Sequence, residues 1–363
     1  MLELLQRLIA TPSFSKDEGA TADIIEHLLR DAGAVVERYG NNVVSWHVGA
    51  RHAVPLHAVP VHAIPTILLN SHHDTVKSGA GWSNDPLVPV VSDGKLYGLG
   101  SNDAGAALVM MLSAYLHFLA RTDLPVNLCF AATAEEEISG ENGMSMLSRD
   151  VFTERPIDVA IIGEPTGMQM AVAEKGLMVL DCVAHGRTGH AARNEGVNAL
   201  YAALTDVEWF RTHRFERTSP VLGNVKMTVT QIDAGSQHNV VPDKCHFVVD
   251  VRVTDVYTNA EVLEEIRRHV ACEVTPRSMR LAPSSIPLDH PIVRAGIDMG
   301  LSTYGSPTMS DQSLLPVGVP SMKIGPGDSA RSHTPDEWIG LKELEDGITT
   351  FIALLENTMR RMS

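Results

Sequence analysis

Apolar and polar residues in the first half of the chain follow the periods of strands and helices in turn. The segment TILLNS at 66–71 contains an unbroken apolar run, which is typical of a central strand covered on both faces. The segment AGAALVMMLSAYLHFLAR at 104–121 predicts a helix, and VNLCFAAT at 126–133 and DVAIIG at 158–163 predict two more strands. This alternation predicts an open, mostly parallel α/β sheet.

The first long helix is predicted from SKDEGATADIIEHLLRDAG at 15–33. Ser15 and Glu18 have the spacing of a capping box, in which the two side chains bind the first free N–H groups of a helix. Gly33 is expected at the C′ position, where a helix commonly ends in a left-handed conformation. Between these ends the apolar residues recur at helical spacing.

The order of the elements changes between residues 174 and 283. Strand, helix, strand, strand, helix and strand follow one another there, which is the βαββαβ order of a ferredoxin-like α+β fold. After this stretch the α/β pattern returns and ends in a long helix at 341–362. The sequence therefore predicts one α/β domain formed by residues 1–173 and 284–363, with an inserted α+β domain of residues 174–283.

A repeated motif separates two of the predicted strands. The segment HAVPLHAVPVHAIPT at 52–66 contains three copies of a five-residue motif, each with one proline. Proline at that frequency prevents strand pairing, so a surface loop is expected. Its histidines, His52, His57 and His62, are a weak candidate for metal binding, because a flexible loop gives them no fixed geometry.

Charge and composition exclude several classes of partner. The formal net charge is −15, whereas nucleic acids and anionic membranes are bound by clustered Lys and Arg. No run approaches the ~20 apolar residues of a membrane span, and Glu3, Gln6 and Arg7 interrupt any signal-peptide core. The four cysteines are widely spaced, which indicates reduced buried thiols and a cytoplasmic protein.

Side chains able to bind a metal follow successive predicted elements of the α/β domain. Because ligands of an open α/β sheet bind beyond the carboxyl ends of its strands, we expect these side chains to meet at one edge. For any one of them a solvated loop charge is the simpler interpretation, and a helix N-cap would suffice for Asp103. The side chains are His72, His73, Asp74, Asp103, Glu135, Glu136, Glu137, Glu164 and His333.

Together these groups favour a metal site, since so many carboxylates would repel one another without cations. Imidazole and carboxylate ligands without a thiolate suit zinc, cobalt or manganese.

Seven motifs give the chain a specific resemblance. It is similar to the dinuclear zinc amidohydrolases that include acetylornithine deacetylase, succinyl-diaminopimelate desuccinylase, aminoacylase and the glutamate carboxypeptidases. The resemblance extends from residue 70 to 338 and within the family favours the acetylornithine deacetylase branch. The motifs are SHHDTV, GLGSNDAGA, AEEEISG, GEPTG, HGRTGHAA, NVVPD and GPGDSARSHTPDEW.

The resemblance implies a role for each residue of SHHDTV. His72 is the ligand, His73 a spacer, and Asp74 the residue that holds His72. Strand geometry agrees, because side chains two residues apart share a face. An aspartate bound to the far nitrogen of a ligating imidazole fixes its tautomer and raises its basicity.

The resemblance also implies two zinc ions, with cobalt as an alternative metal. Asp103 corresponds to the carboxylate shared by both ions, and a cis peptide bond is expected between Asp103 and Ala104. His72 and Glu164 complete one ion, and Glu137 and His333 complete the other.

Glu136 corresponds to the general base, which takes a proton from the attacking water and passes it to the departing amine. Glu135 is a charged neighbour without direct chemistry. His190 corresponds to a histidine that stabilises the oxyanion in the site of a partner subunit. That role implies a homodimer formed through the inserted domain, which then also serves as a lid. The alternative for His190 is a loop histidine bound to local backbone.

Three further residues are candidates for substrate binding. Asn239 and Arg252 match family positions that bind the α-carboxylate, although Arg252 alternatively forms a structural ion pair. Arg331 is a candidate for a second carboxylate, which a succinyl group has and an acetyl group lacks. The alternative for Arg331 is a partner for an acidic ligand.

The resemblance implies hydrolysis of the N2-acyl amide of a small acylated amino acid, with N-acetyl-L-ornithine in arginine synthesis as the first candidate. Succinyl-ornithine and acyl-citrulline are variants of the same chemistry. Desuccinylase, aminoacylase and dipeptidase activities remain alternatives, because they use the same metals and differ in the pocket. A non-enzymatic descendant that only binds ligands would be expected to lack a metal ligand or the base.

Overall fold

The computed structural model describes residues 1–49, 64–193 and 195–362. The three repeat histidines, His52, His57 and His62, lie outside the described residues. Among those that are described, none of the helices combines the length and the apolar character needed to cross a membrane.

The described chain divides into two compact units. The first comprises Met1–Val172, Ser285–Tyr304 and Ser310–Ser363, and the second comprises Ala173–Ser284 and Gly305–Met309. The helices in chain order are α1 (Leu2–Ile9), α2 (Gly19–Asp31), α3 (Ala106–Leu119), α4 (Met144–Asp150), α5 (Ala199–Thr212), α6 (Asn259–His269), α7 (Pro291–Asp298) and α8 (Leu341–Met362).

The strands in chain order are β1 (Val36–Tyr39), β2 (Asn42–His47), β3 (Thr66–His72), β4 (Val90–Ser92), β5 (Lys95–Tyr97), β6 (Asn127–Thr133), β7 (Val159–Ile162), β8 (Met170–Glu174), β9 (Gly176–His185), β10 (Lys226–Ala234), β11 (Lys244–Val253), β12 (Glu273–Pro276), β13 (Ser284–Ser285), β14 (Thr303–Ser306), β15 (Ser321–Lys323) and β16 (Trp338–Gly340).

The first unit contains the predicted α/β sheet, with strands in the order β1-β2-β6-β3-β7-β15-β8-β13. Strands β6, β3, β7 and β15 are parallel to one another. β3 is buried along its whole length, as its apolar sequence predicts. Helix α3 is apolar on nearly all sides and buries most of its residues. The parallel strands therefore end at one edge, and this confirms the predicted fold class.

The second unit contains an antiparallel sheet in the order β10-β11-β9-β12. This order, with α5 after β9 and α6 after β11, is the predicted ferredoxin-like arrangement. Strand β9 alternates buried and partly buried residues, and its buried side packs with Phe210 of α5 and Ile266 of α6. The four cysteines of the chain are all buried and form no disulfide.

The predicted capping box at the start of α2 is wrong. The helix begins at Gly19, and the preceding Glu18 gives it no side-chain cap. Ser15 instead donates a hydrogen bond to Asp74. Glu18 accepts hydrogen bonds from the Asn41 amide and from the backbone of Glu135. The predicted end of the helix is confirmed, since Gly33 has a φ of +83° just past the last turn.

Candidate metal centre

Four loops of the first unit bring the candidate ligands together. His72 is the last residue of β3, and Glu164 follows β7. Donor atoms of His72, Asp103 and Glu137 lie within 4.8 Å of one another, and so do those of His72, Glu136 and Glu164. These groups stand at the carboxyl ends of neighbouring parallel strands or in the loops beside them. The edge predicted from the sequence is therefore where they meet.

The two oxygens of Asp103 face different histidines. Oδ1 lies 3.2 Å from Nε2 of His72, whereas Oδ2 lies 3.7 Å from Nε2 of His333. His333 is in turn 2.9 Å from Oε2 of Glu137. The expected cis peptide bond is present between Asp103 and Ala104. Asp103 thus lies between His72 on one side and the contacting pair of His333 and Glu137 on the other.

Asp74 binds four groups at the end of β3. Its carboxylate is 3.3 Å from Nδ1 of His72 and accepts a 2.7 Å hydrogen bond from the Ser15 hydroxyl. It also accepts the backbone N–H groups of Glu136 and Glu137, at 3.1 and 3.2 Å. Burial acts to raise the pKa of Asp74, but the contacts with His72 and Ser15 outweigh it and keep the pKa below its usual value.

His73 takes no part in this cluster. Its ring is buried between the Thr21 hydroxyl, 2.9 Å from Nδ1, and the Asn41 carbonyl, 3.0 Å from Nε2. Burial lowers the pKa of His73 to about 4, so the ring is neutral at physiological pH. The neighbouring histidines therefore occupy separate environments, which is consistent with His73 as a spacer.

The crowded carboxylates fit a site for divalent cations. Burial raises the pKa of Glu136 well above its usual value, with a further contribution from Glu164 and an opposing one from His72. Burial, together with the charge of Asp103, raises the pKa of Glu164 to about 8. Nitrogen and oxygen donors in a partly buried set of mutually repelling carboxylates are what zinc, cobalt or manganese neutralise. The residues present therefore suit a pair of such ions.

Contact with Glu137 raises the pKa of His333 to about 9, and burial acts against this shift. A cation bound by His333 would displace its proton, because imidazole binds metal in the neutral form.

Glu135 has a different environment from the two glutamates that follow it. Its carboxylate accepts hydrogen bonds from the backbone and the side-chain amide of Asn142, at 3.2 and 2.8 Å. Its own N–H donates to Glu18 at 3.2 Å. Glu135 has a φ of +56°, and Glu136 and Glu137 then form a short helical turn. The expected role of a charged neighbour agrees with these contacts.

Sequence reasoning missed two residues that hold the turn of Asp103. The carboxylate of Glu337 accepts the backbone N–H groups of Gly100, Asn102 and Asp103. The side chain of Asn102 binds both the N–H and the carbonyl of Asp328. Glu337 stands four residues after His333 in a motif already noted, and an acidic residue directly before a strand was the available signal.

The residues predicted to bind the oxyanion and the α-carboxylate lie in the second unit. His190 is exposed, and its Nδ1 accepts the N–H of Ala192 at 3.1 Å. Asn239 is also exposed, and its carbonyl accepts the N–H of Ala191 at 3.0 Å. The two predicted residues are thus neighbours within this unit, and the local contact given as the alternative for His190 is present.

Arg252 and Arg331 each bind a carboxylate of the protein. The Arg252 guanidinium forms two hydrogen bonds with Asp250, at 2.8 and 3.1 Å. Arg331 forms two hydrogen bonds with Glu343, at 2.7 and 3.0 Å, and lies 3.6 Å from the ring centre of Trp338. Glu343 is not among the candidate ligands. Arg252 therefore has the structural ion pair that was given as its alternative, whereas Arg331 binds an acid outside the candidate ligands.

Residues 68–357 match the model of peptidase family M20/M25/M40, and this span contains every candidate ligand. The chain belongs to this family. It is therefore an amide-hydrolysing enzyme of a class that depends on two metal ions.

Relatives with two different activities resemble almost the whole chain. Acetylornithine deacetylase of Proteus mirabilis is 28% identical over 377 residues, covering 98% of this chain and 96% of the relative. Succinyl-diaminopimelate desuccinylase of Methylobacterium radiotolerans is 28% identical over 372 residues, covering 95% and 93%.

Solved structures share the fold at lower identity. An aminopeptidase of Bacillus cereus superimposes with a TM-score of 0.75 at 19% identity, covering 98% of this chain and 97% of that one. A dinuclear metal-binding peptidase of the M20 family from Bacillus subtilis gives a TM-score of 0.74 at 14% identity, covering 99% and 97%.

Proposed function

We propose that this enzyme hydrolyses the acyl amide of an N-acyl amino acid, with N2-acetyl-L-ornithine as its first candidate substrate. The observation that carries the proposal is the position of Asp103, whose two oxygens face His72 and His333 separately. Such a carboxylate suits two cations a few ångströms apart, as in two-metal hydrolases.

In this proposal His72 and Glu164 hold one ion, Glu137 and His333 hold the other, and Asp103 is shared. The ions are zinc or cobalt, which accept imidazole and carboxylate together. The chemistry that two such ions supply is polarisation of the amide carbonyl and a lowered pKa for water. Asp74 orients His72, whose Nδ1 lies 3.0 Å from the Asp74 backbone carbonyl and 3.3 Å from its carboxylate, and these contacts fix which ring nitrogen is available.

Glu136 acts as the general base. It removes a proton from water as the water oxygen attacks the amide carbon, and it then gives this proton to the nitrogen as the C–N bond breaks. The products are a carboxylate and a free amine. A partly buried carboxyl with a raised pKa suits this exchange near neutral pH, because it can hold the proton between the two steps. The backbone of Glu136 is itself fixed by Asp74.

His190 donates a hydrogen bond to the oxyanion in the site of a partner subunit, and Asn239 and Arg252 bind the α-carboxylate. The exposure of His190 and Asn239 supports a role towards a partner or substrate. A homodimer through the second unit is supported by Tyr201 and Leu204 of α5, whose exposed fractions are 69% and 50%. The buried, unpaired thiols support a cytoplasmic location.

The substrate assignment draws on the relatives that match the whole chain. Acetylornithine deacetylase and succinyl-diaminopimelate desuccinylase are equally similar, at 28% identity. Succinylated amino acids are therefore the second candidate, with Arg331 as the residue assigned to their extra carboxylate. Arginine synthesis is the corresponding pathway for the first candidate.

The proposal is tested with purified protein in two steps. Chelation should abolish hydrolysis of N2-acetyl-L-ornithine, and added zinc or cobalt should restore it. kcat/KM is then compared for N2-acetyl-ornithine, N2-succinyl-ornithine, N-acetyl-citrulline, N-succinyl-diaminopimelate and a dipeptide. Preference for the acetyl-ornithine substrate is expected. Faster turnover of N-succinyl-diaminopimelate or of the dipeptide would move the assignment to that substrate.

A further inference from the structure

Glu337 is a buried carboxylate outside the proposed ligand set, with an exposed fraction of 2%. Its Oε2 accepts the N–H of Gly100 at 2.9 Å. Its Oε1 accepts the N–H groups of Asn102 and Asp103 at 2.8 and 2.9 Å. One carboxylate therefore fixes three backbone groups of a single turn, including that of Asp103 itself.

The small sheet of β4, β5 and β16 explains how Glu337 reaches this turn. Trp338 of β16 pairs with Tyr97 of β5 in antiparallel register. The next residues outward are Glu337 and Gly98, and the Gly98 N–H donates to the Glu337 carbonyl at 3.0 Å. The chain after Gly98 then turns through residues 100–103 above the Glu337 side chain.

A second set of contacts joins the same two segments. Here the side chain comes from the turn of Asp103 and binds the backbone of the loop before His333. The Asn102 side chain is fully buried; it accepts the Asp328 N–H at 3.0 Å and donates to the Asp328 carbonyl at 3.1 Å. Glu337 thus holds the turn of Asp103, and Asn102 of that turn holds the loop that leads to His333. Asp103 and His333 therefore belong to two segments that are joined by two sets of hydrogen bonds, those of Glu337 and those of Asn102.

We propose that Glu337 is a positioning residue for the metal pair, because it fixes Asp103 relative to His333. This inference rests on the ligand roles proposed above. The ion assigned to Glu137 and His333 requires both tied segments, whereas the ion assigned to His72 and Glu164 requires only Asp103 from them. Loss of the Glu337 contacts therefore weakens binding of the ion at His333 more than binding of the other.

The size of the effect follows from the kind of contact. Three backbone N–H groups have the Glu337 carboxyl group as their acceptor, and such hydrogen bonds are strongest when the acceptor is ionised. Substitution of residues that orient metal ligands typically reduces metal affinity about 10–100-fold. In Glu337→Gln one oxygen becomes an NH₂ group, which cannot accept a hydrogen bond from the turn.

The test is a titration of metal-free protein with cobalt(II). Binding is monitored by calorimetry and by visible absorption. Wild type is expected to bind two ions. Glu337→Gln is expected to bind the weaker ion about 10–100-fold less tightly, with a smaller effect on the tighter ion and an altered spectrum of the doubly loaded form. The matched control is Asp336→Asn, since Asp336 is the adjacent acid and its carboxylate binds Ser83 rather than the turn of Asp103.

Several outcomes decide between the proposals. If Glu337→Gln bound both ions with wild-type affinity, or if its affinity for both ions fell by the same factor, the positioning role alone would be overturned. A wild-type protein that binds fewer than two ions would overturn the proposed function, and this inference with it. If Glu337→Gln does not fold, as judged by circular dichroism, Glu337→Asp is titrated instead, because it keeps the charge but is one methylene shorter.

Discussion

The hydroxyl of Ser15 donates a 2.7 Å hydrogen bond to Oδ2 of Asp74, a residue 59 positions further along the chain. Asp74 in turn contacts Nδ1 of His72 and accepts the N–H groups of Glu136 and Glu137. The segment before α2 is therefore connected through one carboxylate to a candidate ligand and to the candidate base. Ser15 contributes to the site without facing it.

Replacing Ser15 with alanine should lower kcat without loss of the metals. The variant Ser15→Ala removes one of the donors that fix the Asp74 carboxylate, and a hydrogen bond to a charged group contributes about 1.5–3 kcal/mol. We expect kcat to fall roughly tenfold or more, measured on metal-saturated enzyme with acetyl-ornithine. Ser92→Ala is the control, because the exposed Ser92 hydroxyl binds Asp93 and not Asp74. Equal kcat for both variants would contradict the connection.

Glu136→Gln should separate the role of base from that of ligand. Glu136 lies as close to His72 and Glu164 as a ligand would, so distances alone allow either role. The amide cannot take up the proton of the attacking water, and loss of a general base costs about 10²–10⁴ in rate. We therefore expect kcat to fall by that factor while the metal content, measured by atomic emission, stays at the wild-type value.

The control for this prediction is the same substitution one residue earlier. Glu135→Gln alters a carboxylate that binds Asn142 and not the cluster, so it should retain most of the activity. A loss of one metal ion in Glu136→Gln would show that Glu136 is a ligand.

Arg331→Ala tests whether the Arg331 guanidinium binds the second carboxylate of a succinyl group. Two of its N–H groups are engaged by Glu343, and its face lies against Trp338. If these contacts persist with substrate bound, kcat/KM for acetyl- and succinyl-ornithine should fall by the same factor, because only the loop before His333 is disturbed. A selective loss of succinyl turnover would instead support the second carboxylate as its partner. Glu343→Gln, measured on the same two substrates, isolates the structural contact.

The architecture was predictable because the periodicity of each segment agrees with its burial. Strand β3 contains the unbroken apolar run ILL and is buried along its whole length, whereas β9 alternates and has one covered face. Helix α6 begins with a true capping box, in which Thr258 and Glu261 bind each other's backbone. The same pattern at Ser15 and Glu18 was misleading, because both side chains bind groups far along the chain. Local spacing does not contain that information.

The candidate ligands were predictable because they follow strands whose carboxyl ends meet. The contacts that hold them were not, since each joins segments that are remote in sequence. Glu337 lies 237 positions from Gly100, and Asn102 lies 226 positions from Asp328. A single sequence indicates that an acidic residue precedes a strand, but not which backbone groups it will bind. For the same reason the ion pair of Arg252 was predictable only as an alternative, and the Glu343 partner of Arg331 was not predicted.

Mixtures of two inactive variants should regain activity if His190 serves a partner subunit. Glu136→Gln lacks the base, and His190→Asn lacks the proposed oxyanion donor, whose removal costs about 10²–10³ in kcat. In a mixed dimer the site with an intact Glu136 receives the intact His190 of the other subunit. After equal mixing and exchange, half of the dimers are mixed and each has one complete site, so activity should recover to about a quarter of wild type.

The measurement is kcat after unfolding and refolding the variants together, with each variant refolded alone as the control. Light scattering of the same samples gives the oligomeric state. If His190 acted within its own subunit, every site in a mixed dimer would lack either the base or the donor, and activity would stay at the level of the single variants. Leu204→Asp adds an independent measurement, because a charge on the exposed face of α5 should shift the protein towards monomer and lower kcat in parallel.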